Sequence, residues 1–164
     1  MRIEFSQKMT INAMTSEVWR VIAHEFDSVA VWSSGLSHSR PLNNEFAPDG
    51  KNICGRICVP LGKAFVSTEI REAFNYYDEE SMRFGYSATG LPSFFHSIEN
   101  NWQVKAVSEN QSTLEICPVI EIKFFPGILI KPMLKFWGRR TLAELKYYIE
   151  NGQPHPRKIK AMKK

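Results

Sequence analysis

The stretch PGILIKPMLKFWGRRTLAELKYYIEN, residues 126–151, decides the fold of this chain. At about 100° per residue its large apolar side chains return to one sector, which predicts a helix with a single buried face. The members of that sector are Ile130, Leu134, Trp137, Thr141, Leu145 and Tyr148. Gly152 and Pro154 predict where the helix ends, because glycine accepts a left-handed cap and proline cannot continue the hydrogen-bond ladder. Pro132 is tolerated in a first turn, so we expect the regular helix to begin near Ile130.

The chain begins with a predicted strand and two short helices. Alternating apolar residues over positions 3–11 predict the strand. Residues 17–26 carry apolar side chains at helical spacing, and Thr15 or Ser16 is expected to cap this first helix. A second short helix is expected over residues 28–33.

Beyond these helices the apolar period changes to two, and turn-forming residues divide the chain into short segments. Six further strands are predicted, at residues 37–41, 55–59, 64–76, 82–89, 95–107 and 113–123. Short connections between consecutive strands favour an antiparallel meander. The predicted class is therefore α+β, a seven-stranded antiparallel sheet with a long C-terminal helix laid across it. A curved sheet crossed by one helix leaves a hollow, and this hollow is the predicted functional site.

Composition favours one domain, residues 1–152, followed by a basic tail, residues 153–164. A chain of 164 residues of which 43% are hydrophobic can bury a single core. The net charge of +4 comes from the end of the chain, because residues 151–164 carry five basic side chains and no acidic one. The rest has 16 basic and 17 acidic residues, so the charge does not predict a nucleic-acid partner. We expect the tail to be disordered.

The same composition bears on location and cofactors. The amino terminus lacks the continuous apolar core of a signal peptide, and no stretch reaches a membrane-spanning length. Three cysteines, an odd number without an export signal, predict reduced thiols and a cytoplasmic protein. The three cysteines and four histidines show no ligand spacing, and no phosphate loop is present, so neither a metal nor a cofactor is predicted.

Alternation within two predicted strands supplies candidates for the lining of the hollow. Tyr86 and Ala88 lie on the apolar face of one strand, where the Tyr86 hydroxyl would be offered to a ligand. His96, Ile98 and Trp102 share the apolar face of the next strand, which is expected to point inward. An inward His96 would be a polar lining group or a proton shuttle, and the alternative is a half-exposed histidine near a strand end.

Glu69 and Arg71 are two residues apart on one predicted strand, so their side chains point the same way. One interpretation is a buried carboxylate with a raised pKa, which anchors a polar ligand group or acts as general acid or base. The other is a charged pair on the outer face of the sheet, because charged residues are rarely buried unpaired. The spacing alone leaves both open.

The order of the elements resembles the START-like (SRPBCC) superfamily, which has the helix-grip fold, and especially its polyketide cyclase/dehydrase-type branch. The layout is also similar to that of the plant abscisic-acid receptors. The matching phrases, spread over residues 3–150, are Glu17-Val18-Trp19, Trp32, Pro60-Leu61-Gly62-Lys63-Ala64, Ser67-Thr68-Glu69, Tyr77-Asp78-Glu79-Glu80 and Gly90-Leu91-Pro92. The resemblance implies a helix-grip fold with a hydrophobic small molecule, such as a lipid, sterol, quinone or polyketide, in its cavity. A minority of members catalyse cyclisation, dehydration or hydrolysis there.

The resemblance also implies roles for single residues. Glu69 matches a glutamate that faces the cavity in the hormone receptors, which makes it a candidate polar anchor. The loops around Leu61 and Leu91 correspond to the receptors' gate and latch. The latch phrase lacks the receptors' His-Arg-Leu and has Phe94 and Phe95 nearby, so hormone sensing is not implied.

Three functions stay open on the sequence. The first is binding of an apolar small molecule in the hollow, and the second is a cyclase or dehydratase in which Glu69 or His96 acts as general acid or base. The third is a lipid or quinone carrier that contacts a membrane surface through its basic tail. The oligomeric state is not indicated. The predicted ligand-binding residues are Leu61, Glu69, Arg71, Tyr86, Ala88, Leu91, His96, Ile98, Trp102, Leu134, Trp137 and Thr141.

Overall fold

The computed structural model of the chain describes residues 1–43, 54–61, 69–123 and 127–163. The strands in these ranges form one antiparallel sheet in the order β1-β8-β7-β6-β5-β4-β3, and β2 also pairs with β8. This is the predicted meander. The strands are β1 Arg2–Glu4, β2 Gln7–Ile11, β3 Leu36–Leu42, β4 Gly55–Pro60, β5 Ile70–Asp78, β6 Arg83–Thr89, β7 Phe95–Ser108 and β8 Gln111–Ile122. The first part of the predicted strand 64–76, with the Gly62-Lys63-Ala64 and Ser67-Thr68 phrases, lies outside the described residues.

The predicted first strand is interrupted. Ile3 pairs with Ile120 and Gln7 with Ile116, so β1 and β2 keep one register along β8. The interruption falls opposite Pro118, which has no backbone N–H to donate to a neighbouring strand. The two segments therefore occupy a single strand position, and the sheet is seven positions wide as predicted.

The short helices differ from the prediction at their boundaries. The first, α1, spans Thr15–Trp19 and continues as a π-helical turn over Arg20–His24. Its N-cap is Met14, and neither Thr15 nor Ser16 caps it as expected, because both lie inside its first turn. A 3₁₀ helix, Phe26–Val31, replaces the predicted helix over 28–33.

The long helix, α2, spans Gly127–Asn151. It ends as predicted at Gly152, which has φ of 66° and whose N–H donates to the Tyr148 carbonyl at 2.8 Å. It begins before the expected Ile130, so Pro132 lies inside the helix. None of the helices in the described ranges combines the length and apolar character that a membrane crossing demands.

The prediction of a disordered tail is wrong, because residues Pro156–Met162 form a further helix, α3. Its start is capped by the His155 side chain, which accepts a hydrogen bond from the Arg157 N–H at 3.1 Å. The Lys158 side chain is buried, and its Nζ donates to the Leu36 carbonyl at 2.6 Å. This tertiary contact ties the basic segment to the start of β3.

The described residues form three apolar clusters, and α2 contributes to two of them. The main cluster packs the short helices and the aromatic inner face of the sheet against Leu142, Leu145 and Ile149. The second cluster joins Ile130 and the partly buried Leu134 to isoleucines of β1 and β8. The buried face of α2 is therefore rotated from the predicted one, and Trp137, Thr141 and Tyr148 lie at its flanks.

Gly138 lies where α2 contacts β2. The Gln7 side chain of β2 reaches α2 here, and its Nε2 donates to the Lys135 carbonyl at 2.7 Å. A Cβ atom on residue 138 would lie 2.1 Å from the Gln7 Oε1. The side of α2 that carries Gly138 and Leu142 therefore faces β2. Trp137 and Thr141 lie at the edge of this contact.

Candidate ligand-binding groove

A groove of about 390 Å³ opens between α2 and the nearby ends of β3 and β4. Its volume falls in the range typical of small-molecule sites. The apolar part of its lining comes from Pro60 and Leu61 at the end of β4 and from Trp137 on α2. Trp137 is 38% exposed, a large fraction for an indole in a concave site. The polar part comes from the turn Ser33–Gly35 and from residues Arg140, Thr141 and Glu144.

The polar end of the groove is built around a buried carboxylate. The Glu144 side chain is 2% exposed. Its Oε2 accepts the backbone N–H of Ser34 at 2.9 Å, and its Oε1 accepts the Ser34 hydroxyl at 2.6 Å. Arg140 Nε lies 3.2 Å and Arg157 Nη1 lies 3.6 Å from the same Oε1. The carboxylate therefore joins α2, α3 and the turn before β3 into one wall.

A second polar cluster lies inside the main core. The Arg56 guanidinium pairs with Glu72, the residue opposite it on β5. Its Nη1 donates to the Phe26 carbonyl at 2.9 Å, and the guanidinium carbon lies 3.9 Å from the centre of the Phe26 ring. The centre of the Tyr86 ring lies 5.5 Å from the same carbon. Arg56 is thus held on one side by a carboxylate and on others by aromatic faces.

The pKa values of the neighbouring groups follow from this burial. Burial raises the pKa of the Cys58 thiol to about 12, although the Arg56 charge opposes that rise. Burial also raises the pKa of Tyr86, and the nearby Glu72 carboxylate adds to the effect. Both groups are therefore neutral at physiological pH, and the charge in this cluster resides on Arg56 and Glu72.

The space beside this inner cluster is small. A cavity of about 10 Å³, lined among others by Phe26, Arg56 and Trp102, has room for about one water molecule. An organic ligand does not fit there. The groove beside Trp137, at about 390 Å³, does have room for a small molecule.

The predicted lining residues fall into two groups. Leu61, Trp137 and Thr141 line the groove. The others on the inner side belong to the packed core or its margin: Tyr86, Ala88 and Trp102 are buried, and Ile98 and Leu134 pack in the second cluster. Leu91 is partly buried in the turn between β6 and β7.

Glu69 and Arg71 point away from the hollow, which corrects the prediction that they line it. Ile70 pairs with Cys58, and both belong to the main cluster, so residues 69 and 71 face the opposite side. Arg71 is exposed, and the Glu69 carboxylate, 44% exposed, lies 2.9 Å from Arg40 Nη2. The inward carboxylate of this strand is Glu72.

His96 is also on the outer side. A β-bulge between Phe95 and Ser97 makes His96 an extra residue in its strand. The bulge breaks the alternation that predicted the side chains of His96 and Ile98 on the same face of the sheet. The ring is exposed, and its Nε2 lies 3.8 Å from Glu121 Oε2. Neither predicted acid or base, Glu69 or His96, therefore reaches the groove.

The sequence contained a signal for the inner charged pair that the prediction missed. Glu72 alternates with Ile70 and Phe74, and Arg56 alternates with Cys58, so each charged residue shares a face with apolar ones. The Glu144 cluster carries no comparable signal, because Ser34 and Arg157 are distant from it along the chain. Within the described ranges, no three His, Cys, Asp or Glu side chains come together as a metal ion would require.

The profile of the family described as polyketide cyclase / dehydrase and lipid transport matches residues 2–150. The chain belongs to this family. The match covers the whole sheet and nearly all of α2, so the lining of the groove is built from family elements, and Arg157 of α3, which contacts Glu144, lies outside the match. No curated protein shows a significant sequence match to the chain.

Solved structures confirm the helix-grip fold of this family member. An uncharacterized protein from Bacillus thuringiensis superimposes with a TM-score of 0.71 at 16% identity, over 90% of this chain and 98% of that one. The crystal structure of Ara h 8.0201, which has the Bet v 1-like fold, superimposes with a TM-score of 0.70 at 8% identity, over 91% and 98%. At such identities the likeness concerns the fold alone.

Proposed function

We propose that this family member binds an apolar small molecule in the groove beside Trp137. The observation that carries the proposal is a groove of about 390 Å³ with Trp137 and Leu61 partly exposed on its walls. Exposed apolar side chains in a concave site gain free energy when a ligand removes them from water. The family description, which names lipid transport beside polyketide cyclase and dehydrase, agrees with an apolar ligand.

Catalysis is not part of the proposal. The acid and base predicted for a cyclase or dehydratase, Glu69 and His96, lie on the outer side of the sheet. The charged pair Arg56 and Glu72 faces inward, but it is packed against aromatic rings beside a space of about 10 Å³. A binding role needs neither pair.

Delivery of a lipid or quinone at a membrane surface stays a prediction, but the basic segment on which it depends is not a free tail. We expected this segment to contact the membrane as a disordered tail. Instead it forms α3, in which Lys158 donates a hydrogen bond to the Leu36 carbonyl and Arg157 pairs with Glu144. Truncation after Gly152 would remove both contacts together with the charge. Liposome binding of the truncated protein is therefore informative only beside a measurement of its thermal stability.

Ligand binding is tested by native mass spectrometry and thermal shift with lipids, sterols, quinones and aromatic polyketides. We expect at least one class to give a mass adduct and a raised Tm. Trp137→Ala should weaken binding of that class by about tenfold, since one large aromatic contact contributes about 1–3 kcal/mol.

The matched control is Met133→Ala. Met133 lies on the same helix and is 39% exposed, close to the 38% of Trp137, but it does not line the groove. Its removal should leave the affinity unchanged. The proposal fails if no class binds, or if both alanine variants lower the affinity equally.

A further inference from the structure

The polar end of the groove carries more positive than negative charge. Arg140 and Arg157 both pair with Glu144, with Nε of Arg140 at 3.2 Å and Nη1 of Arg157 at 3.6 Å from its Oε1. Two guanidinium groups thus contact one carboxylate. In the described part of the chain, no second carboxylate pairs with either arginine.

The hydrogen-bonding capacity of Glu144 is already used within the protein. It accepts the Ser34 N–H and hydroxyl as well as the contact from Arg140 Nε. Arg140 Nη2 donates in turn to the Ser34 hydroxyl at 3.0 Å. These contacts fix the guanidinium of Arg140, so an incoming anion would meet a charge that is already oriented.

Both arginines keep N–H groups available to a ligand. A guanidinium has five N–H donors, and Glu144 and Ser34 occupy only part of this set. Each arginine side chain is about half exposed. Arg140 lines the groove beside Trp137, and it also lines a second groove, of about 470 Å³, together with Arg157 and Phe136. Arg140 therefore stands between the apolar wall and the second guanidinium.

We infer that the ligand is an amphipathic anion, whose oxyanion headgroup binds Arg140 and Arg157 while its apolar part lies against Trp137 and Leu61. The inference rests on the proposed function and adds the chemical class of the ligand. Carboxylates and phosphates share the planar or tetrahedral oxygen arrangement that a guanidinium binds through two N–H groups. An uncharged lipid would make no charge-assisted hydrogen bond with these two guanidinium groups.

The test compares probes that share one chain and differ in headgroup. Dodecanoic acid, dodecyl phosphate and dodecanol are titrated below their aggregation limits into the full-length protein, and binding is followed by Trp fluorescence and native mass spectrometry. We expect the two anions to bind about tenfold or more tightly than the alcohol, as charge-assisted hydrogen bonds would produce. The ratio of the two anions then separates a carboxylate site from a phosphate site.

Two variants locate the effect. Arg140→Gln and Arg157→Gln should each lower the affinity for the anions toward that for dodecanol, and so reduce the preference for the charged headgroup. Lys131→Gln removes the same charge from an exposed position on α2 that lines neither groove. It should leave all three affinities unchanged, and Tm of each variant shows that it is folded.

The outcomes separate the inference from the proposed function. If anions and alcohol bind equally, or if the glutamine variants keep the preference, the inference is overturned while apolar binding stands. If no apolar probe of any headgroup binds, the proposed function fails first. Inorganic phosphate should not displace dodecyl phosphate at equal concentration, and displacement would show a site for free anions instead.

Salt dependence provides a readout that needs no variant. The affinity of the wild-type protein for dodecanoic acid should fall as ionic strength rises, whereas dodecanol affinity should not, because screening acts on the charged headgroup alone. An anion affinity that is independent of salt would contradict the inference even if Arg140→Gln failed to fold.

Discussion

Replacement of Glu72 by glutamine should destabilise the protein far more than the same change at Glu69. The two glutamates are close in sequence, and each pairs with an arginine. They differ in burial: the side chains of Arg56 and Glu72 are 9% and 15% exposed, whereas those of Arg40 and Glu69 are 57% and 44% exposed. The comparison therefore isolates the effect of the surrounding medium on an ion pair.

The expected magnitudes follow from that difference. Glu72→Gln keeps the shape of the side chain but leaves the Arg56 charge buried without a carboxylate, which costs about 3–5 kcal/mol. For a chain of this size the loss lowers Tm by roughly 6–20 °C, at about 2–4 °C per kcal/mol. Glu69→Gln breaks a solvent-screened pair and should cost less than about 1 kcal/mol.

Urea denaturation followed by near-UV circular dichroism measures both free energies of unfolding. A double variant, Arg56→Met with Glu72→Leu, removes the charge together with its partner and should recover most of the loss, because no unpaired ion is then left buried at this position. If Glu72→Gln costs as little as Glu69→Gln, or if the double variant is less stable than Glu72→Gln alone, the reasoning from burial is refuted.

Two further predictions concern the core and the packing of α2. Burial raises the pKa of Cys58 from 9.0 to about 12, so its stabilising contribution is complete below pH 9.0 and is lost as pH rises toward 12. The free energy of unfolding, measured by urea denaturation at several pH values between these limits, should fall less steeply with pH for Cys58→Ala than for wild type. The two slopes should differ by at most about 1.4 kcal/mol per pH unit. Equal slopes would contradict a raised pKa for Cys58. Gly138→Ala should destabilise by about 1–2 kcal/mol despite its higher helix propensity, because the new Cβ displaces the Gln7 amide from the Lys135 carbonyl. On a Gln7→Ala background, urea denaturation should show the same change to be neutral or stabilising, and an unchanged penalty there would exclude the clash as its cause.

Local patterns predicted most of the fold because each depends on neighbours along the chain. The strands after Leu36 and the end of α2 at Gly152 follow from alternation, turn residues and capping. The residues of the site were harder to predict from the sequence. Alternation places Glu69 and Arg71 on the same face of the sheet, but it does not say whether that face meets α2. The bulge at His96 shows the same limit, because one inserted residue takes the His96 side chain out of the alternation of its strand.

The sequence by itself determined that a meander would be closed by one long amphipathic helix, since periodicity and terminators are properties of contiguous residues. Tertiary structure decided which face of that helix is buried, and it left Trp137 exposed in the groove. It also decided that Glu144 would meet Ser34 and Arg157, which ordered α3 where disorder was expected. Such contacts join residues far apart in the chain, and their geometry depends on side-chain packing that no local period encodes.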